Sequence, residues 1–184
     1  MKRSEVDEIT RIVLSVCRSI PGLEGVIITN QGSYRRGDER CGDADLLLVH
    51  PKHVDQLPKG GLGAIINKLE EQGHIAHHLN TVEGMHSATK KQETGTKRKQ
   101  ETLMAQEEGK QKEIDSAYSY MSIFHSPVHK SKARRVDLKF YPFQDRAYAS
   151  LYFTGNTAFN RSLRSFAMQR KNLGLSNHGL FPLH

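Results

Sequence analysis

Asp43 and Asp45 stand two residues apart at the head of an apolar run, Leu46-Leu47-Leu48-Val49. Side chains two apart on an extended strand share a face, so these carboxylates project side by side. Their repulsion calls for a cation, and hard, all-oxygen ligands select Mg²⁺ or Mn²⁺ over zinc. A third carboxylate, Asp137, lies in a second strand-like run, Arg135-Val136-Asp137-Leu138-Lys139. If the two strands are neighbours, the three acids converge on a site for two metal ions about 3.5–4 Å apart, the arrangement that serves in-line phosphoryl transfer. An isolated Asp-x-Asp also marks a solvated strand end, so the upstream residues decide the reading. Gly32-Ser33 offers backbone N–H groups and a hydroxyl to phosphate oxygens, and Gly permits close approach. Arg36 can clamp a terminal phosphate with two hydrogen bonds.

The elements that must position these residues are legible from periodicity. Val6, Ile9, Val13, Val16, Cys17 and Ile20 share one helical face, started by a capping-box-like Ser4 and Asp7 and ended by Pro21-Gly22. Gly25 to Thr29 reads as a strand followed by a turn, and a second strand runs from Asp43 to Val49. Leu62, Ile65, Ile66 and Leu69 mark another helix, stopped by Gly73, and His74 to Leu79 reads as a strand. Tyr118 to His125 and Arg134 to Tyr141 read as strands, and Asp145 to Phe153 and Asn156 to Lys171 as helices. In the last of these Phe159, Leu163 and Phe166 form the expected packing stripe. Helices alternate with strands first and strands cluster later, which predicts an α+β fold: a mixed or antiparallel sheet with helices on one face. Between Ser87 and Glu113 the only apolar residues are Ala88, Leu103, Met104 and Ala105, so this stretch is expected to be a mobile, disordered basic insertion.

Composition sets wider bounds. The 184 residues carry a formal charge of +7, with a pI near 9.5. The basic excess suits a phosphate-rich partner, and equally a surface that is merely soluble. No stretch approaches the roughly 20 apolar residues of a membrane span. The two cysteines, Cys17 and Cys41, lack ligand spacing and read as reduced thiols. His74, His77 and His78 invite a zinc reading but read better as surface imidazoles, and Gly60-Gly61-Leu62-Gly63 hints at a helix-hairpin-helix phosphate turn but lacks the partner hairpin that such a site needs, which counts against it.

Four ordered motifs then carry a family resemblance: Gly32-Ser33-Tyr34-Arg35-Arg36-Gly37, Gly42-Asp43-Ala44-Asp45, Arg135-Val136-Asp137, and Leu151-Tyr152-Phe153-Thr154-Gly155 through Phe159-Asn160-Arg161. Together they resemble the family X DNA polymerases, most closely those of the β-like repair type, over nearly the whole chain outside the insertion. The resemblance implies a nucleotidyltransferase-fold palm over residues 1–141 and the start of a helical, nucleotide-selecting thumb over 142–184. It implies that Asp43 and Asp45 bind two Mg²⁺ ions, with Mn²⁺ as a substitute, and that Asp137 binds the catalytic one and helps deprotonate the primer 3′-hydroxyl. Ser33, Arg36 and Gly42 would hold the dNTP triphosphate. Tyr152, Phe153, Gly155 and Asn160 would shape the sugar and base pocket. Arg135 would lie near the primer phosphate and Arg164 would reach the minor groove on the template side. Thr157 stands where the nearest relatives carry an acidic residue that packs on the incoming base.

The implied function is DNA-directed gap filling in base excision repair, by a monomer acting on gapped or primer–template DNA in the nucleus, or alternatively in the mitochondrion. Template-independent nucleotidyl transfer is a second reading, opposed by Ser33, since the terminal-transferase variant has Gly there. A DNA- or nucleotide-binding remnant of low activity is a third. The family's lyase domain and DNA-gripping helix-hairpin-helix subdomain would precede residue 1, and the usual thumb runs past His184. The chain is therefore expected to be a catalytic-core fragment or a short member.

Overall fold

The computed structural model describes residues 1–82, 85, 118–128 and 132–183; the expected insertion at 87–113 lies outside them. Helix α1 (Arg3–Arg18) buries Val6, Ile9 and Val13 completely, and α3 (Gly61–Glu71) does the same with Ile65, Ile66 and Leu69. Both apolar stripes were predicted, and both pack on one face of a five-stranded sheet. The strands are β1 (Ile27–Asn30), β2 (Ala44–Val49), β3 (Ile75–His78), β4 (Ser119–His125) and β5 (Ala133–Tyr141), in spatial order β1-β2-β5-β4-β3. All pairings are antiparallel except β2 with β5, which run parallel. The fold is the α+β class expected, with a mixed sheet.

Alternation along β2 and β5 sorts side chains between the two faces. Leu46, Leu48, Val136, Leu138 and Phe140 enter the core beneath α1 and α3. Leu47, Val49 and Tyr141 point the other way, where Ala149 of α4 (Arg146–Thr154) covers them. A helical lip thus crosses the opposite face at one end of the sheet. From there α5 (Thr157–Lys171), capped by Asn156 accepting from the Phe159 N–H at 3.0 Å, leads to a ribbon of β6 (Leu173–Leu175) and β7 (Leu180–Pro182). Among the described residues no helix is long and apolar enough to cross a membrane.

Three local expectations are corrected. Helix α1 starts at Arg3 with Lys2, not Ser4, as its N-cap and no side-chain cap, because Lys2 is already held in a bridge to Arg40. The first strand begins at Ile27 instead of Gly25, whose Cα lies so close to His50 that a Cβ would sit 2.8 Å from its Nε2. The α5 stripe does not pack: Phe159 and Phe166 are 47% and 54% exposed, and Ala167 is the helix's buried residue. Gly60, in the left-handed region at φ 68°, is the N-cap of α3, so Gly60-Gly61 serves a helix start.

Candidate active site

Because β2 and β5 run parallel, Asp45 and Asp137 are direct partners in the register, with Asp43 just before the strand. The alternation that sends Leu46 and Val136 into the core turns these acids to the opposite face. Asp43, Asp45 and Asp137 each offer a carboxylate oxygen within 4.8 Å of the others. Among the described residues no other trio of His, Cys, Asp or Glu does so. The zinc alternative is occupied otherwise: His78 pairs with the Tyr120 hydroxyl at 2.6 Å and with Glu70 at 3.3 Å.

Charge is crowded here. Burial, then the neighbouring Asp43 charge and, more weakly, that of Asp137, push the Asp45 carboxyl up to about 6, although Lys139 and Arg135 oppose the shift. Asp137 is 3% exposed and accepts a fork from Arg135, Nε at 3.1 Å and a terminal nitrogen at 3.0 Å. Arg135 also lies 3.8 Å from Asp43, and Lys139 Nζ approaches Asp137 at 3.6 Å. The donor set is all carboxylate, closely spaced and short of positive charge, which fits Mg²⁺ or Mn²⁺.

The turn beside the acids is shaped to approach them. The Gln31 N–H donates to the Asp45 carbonyl at 2.8 Å, extending the β1–β2 ladder by one bond. Gly32 then takes φ 54°, and a Cβ there would fall 2.2 Å from Asp45 Oδ2, so no other residue fits. A single helical turn follows, α2 (Gly32–Arg35). Ser33, Arg36, Gly42, Tyr152, Phe153, Gly155 and Asn160, the seven residues expected to bind nucleotide, all line one open cleft of about 480 Å³, together with Asp43 and Asp45. Asn156 and Thr157 complete its rim. Arg36 spans the cleft floor, donating to the Thr154 carbonyl at 2.8 Å and pairing with Asp38 at 3.2 Å. Asn160 donates to the Tyr152 carbonyl at 2.7 Å, which fixes the lip between α4 and α5.

The two expected DNA contacts behave differently. Arg135 is turned onto the acids, and Arg164 lies over the Tyr152 ring at 4.7 Å, beside the cleft and not in its lining. Sequence reasoning missed Lys139, which sits 4.8 Å over the Phe153 ring, although its place two residues after Asp137 puts it on the same face. It also missed Gln31, buried at 1% exposure, whose side-chain Oε1 accepts from the Ser150 hydroxyl at 3.3 Å and the Thr154 hydroxyl at 3.2 Å and so ties the end of β1 to α4. No spacing in the sequence signals that contact.

Acids of two register-paired strands, facing a glycine-opened turn across a cleft roofed by helices, are the mark of the nucleotidyltransferase class of polymerase palms. Comparison with known proteins agrees: residues 1–143 match the DNA polymerase beta palm and residues 149–184 the DNA polymerase beta thumb. The chain belongs to the family X DNA polymerases. It is 30% identical to DNA polymerase lambda of Rattus norvegicus over 98% of this chain and 26% of that protein. It is 31% identical to DNA-directed DNA/RNA polymerase mu of Homo sapiens over 97% of this chain and 35% of that protein. With DNA nucleotidylexotransferase of Ambystoma mexicanum the identity is 25%, over 98% of this chain and 35% of the relative. The chain thus spans about a quarter to a third of the length of these relatives.

Proposed function

We propose that this chain is the catalytic core of a DNA-directed DNA polymerase, transferring a nucleotide from a dNTP to a primer 3′-hydroxyl with release of pyrophosphate. The observation that carries the reading is the pairing of Asp45 with Asp137 in register, beside a cleft that gathers Ser33, Arg36 and Gly42. Asp43 and Asp45 would hold two Mg²⁺ or Mn²⁺ ions and Asp137 one of them. Bound there, such ions supply neutralisation of phosphoryl charge and a more acidic 3′-hydroxyl. The chain's own groups do the rest by positioning, since phosphoryl transfer asks little covalent chemistry of a protein. Ser33, Arg36 and the Gly42 backbone orient the triphosphate. Asp137, oriented by the Arg135 fork, receives the hydroxyl proton. Tyr152, Phe153, Gly155 and Asn160 enclose sugar and base, and Arg135 and Arg164 serve the primer phosphate and the template side. Residues 1–141 form the palm and 142–184 the beginning of the thumb.

Gap filling in base excision repair by a monomer in the nucleus is the setting we assign, on the family's footing. Template-independent addition is the second reading, favoured by similarity to a DNA nucleotidylexotransferase and opposed by Ser33. Primer extension with and without a templating strand, over a range of Mg²⁺ and Mn²⁺ concentrations, separates them. Template-directed incorporation that disappears in Asp137→Ala is expected. Equal incorporation without template favours the second reading, and no incorporation by the wild type under any metal refutes both.

A further inference from the structure

The turn that carries Ser33 and Arg36 cannot hold itself. Helix α2 has four residues and no side-chain cap, and a single turn in water is a costly nucleus without propagation. Part of its support comes from α1, beside the bond from Arg36 to the Thr154 carbonyl. Arg3 donates to the Tyr34 carbonyl at 2.7 Å and the Asp38 carbonyl at 3.3 Å, and its guanidinium lies 3.8 Å over the Tyr34 ring. The Tyr34 hydroxyl donates to Asp7 Oδ1 at 2.5 Å. That hydrogen bond, followed by burial and the Asp7 charge, pushes the phenol above its ordinary value, so it remains a donor at neutral pH. At the far end of the same loop the Cys41 N–H donates to the Met1 carbonyl at 2.9 Å, and Lys2 bridges to Arg40. The start of α1 therefore grips the β1–β2 loop at both ends, while Val6 and Ile9 anchor the helix to the sheet. None of Arg3, Asp7 and Tyr34 lines the cleft.

We propose that Tyr34, clamped between Arg3 and Asp7, is a positioning residue for the phosphate end of the nucleotide: it sets where Ser33 and Arg36 meet the triphosphate. The role rests on the polymerase reading above. It acts on affinity for the phosphate chain and leaves the carboxylates of β2 and β5 in place, since those are fixed by strand register.

The test compares wild type, Tyr34→Phe, Asp7→Ala, Asp7→Asn and the Tyr34→Phe/Asp7→Ala double variant, all in the full chain. Steady-state primer extension is measured alongside equilibrium binding of Mg²⁺–dATP and of Mg²⁺–tripolyphosphate. Tyr34→Phe keeps the ring under Arg3 and deletes only the hydroxyl. Tyr34→Phe and Asp7→Ala are each expected to raise the dATP KM and Kd by about three- to tenfold, with kcat within about twofold of wild type. Tripolyphosphate should weaken by the same factor, because the displaced groups face phosphate. The double variant should be no worse than either single one, the non-additivity of one shared bond. Asp7→Asn, whose amide oxygen still accepts from the hydroxyl, should bind close to wild type. Unchanged affinity, a loss confined to kcat, a loss on dATP that tripolyphosphate does not share, or additive effects would each overturn the proposal. A wild type that binds both probes yet extends no primer refutes the polymerase reading alone, and the binding arm still decides the role of Tyr34. A wild type that binds neither probe refutes both.

Discussion

Replacing Asp45 by Asn is expected to abolish incorporation and, in the absence of metal, to make the chain more stable above pH 6. Burial and the charges of Asp43 and Asp137 raise the Asp45 carboxyl from an ordinary 3.8 to about 6. A folded-state value above the unfolded one means that folding favours the protonated acid. The stability that Asp45 contributes is therefore complete below pH 3.8 and is lost as pH rises through 6. At 1.36 kcal/mol per pH unit, the cost of the bare carboxylate is bounded at about 3 kcal/mol. Relaxation and solvent at the open cleft reduce this to about 1–2 kcal/mol. For a chain of this size that is a rise of about 3–6 °C in Tm. Thermal unfolding in chelator at pH 8 and at pH 4 measures it: the Asn variant should melt higher at pH 8 and level with wild type at pH 4. Adding Mg²⁺ at pH 8 should narrow the gap by stabilising the wild type alone. A lower Tm for the variant at pH 8, or a difference that ignores pH, would refute the electrostatic account.

Asp137→Ala should eliminate turnover while Mg²⁺–dNTP affinity, measured by equilibrium titration, stays within about threefold, because Asp43 and Asp45 remain; an equal loss of both would overturn this division. Gly32→Ala should destabilise by at least about 1–2 kcal/mol and remove activity even in folded protein, since its Cβ would fall 2.2 Å from Asp45 Oδ2 at φ 54°. Glu5, buried at the start of α1, accepts from Ser126 and from Arg134 Nε at 2.8 Å. Glu5→Ala strands Arg134 and should cost about 3 kcal/mol in urea denaturation at pH 7. Burial pushes the Glu5 carboxyl up, but the bonds from Arg134 and Ser126 outweigh it and hold the group below its ordinary 4.5. Its contribution is thus present above pH 4.5 and lost as pH falls through the folded value, so the difference between wild type and Glu5→Ala should shrink in acid.

The acids were legible because their spacing obeys strand periodicity and the apolar residues between them obey the same rule. That Asp45 meets Asp137 was conditional in the sequence: the pairing joins strands far apart in the chain, and no local pattern states which strands are neighbours. The start of α1 was misplaced because a tertiary bridge from Lys2 to Arg40 overrides the local cap at Ser4. Phe159 and Phe166 have helical spacing but face outward, since periodicity reports an apolar stripe and says nothing about whether a partner covers it. The β6–β7 ribbon went unread because three-residue strands are too short to show alternation. Gln31 and Tyr34 carry their roles through contacts with α4 and α1 that arise only once the chain is folded.

The parallel register of β2 and β5 also bears on how this molecule can fail. Sliding β2 by a single residue would swing Asp45 into the apolar layer and push Leu46 out of it, and sliding β5 would do the same with Asp137 and Val136, so the error that dismantles the site dismantles the core with it. A slipped yet native-looking species has nowhere to sit on the energy landscape. A preparation that melts cooperatively but does not turn over therefore does not owe its inactivity to a shifted register of these strands. For evolution the same coupling means that substitutions along these two strands are screened for foldability and for chemistry in one step.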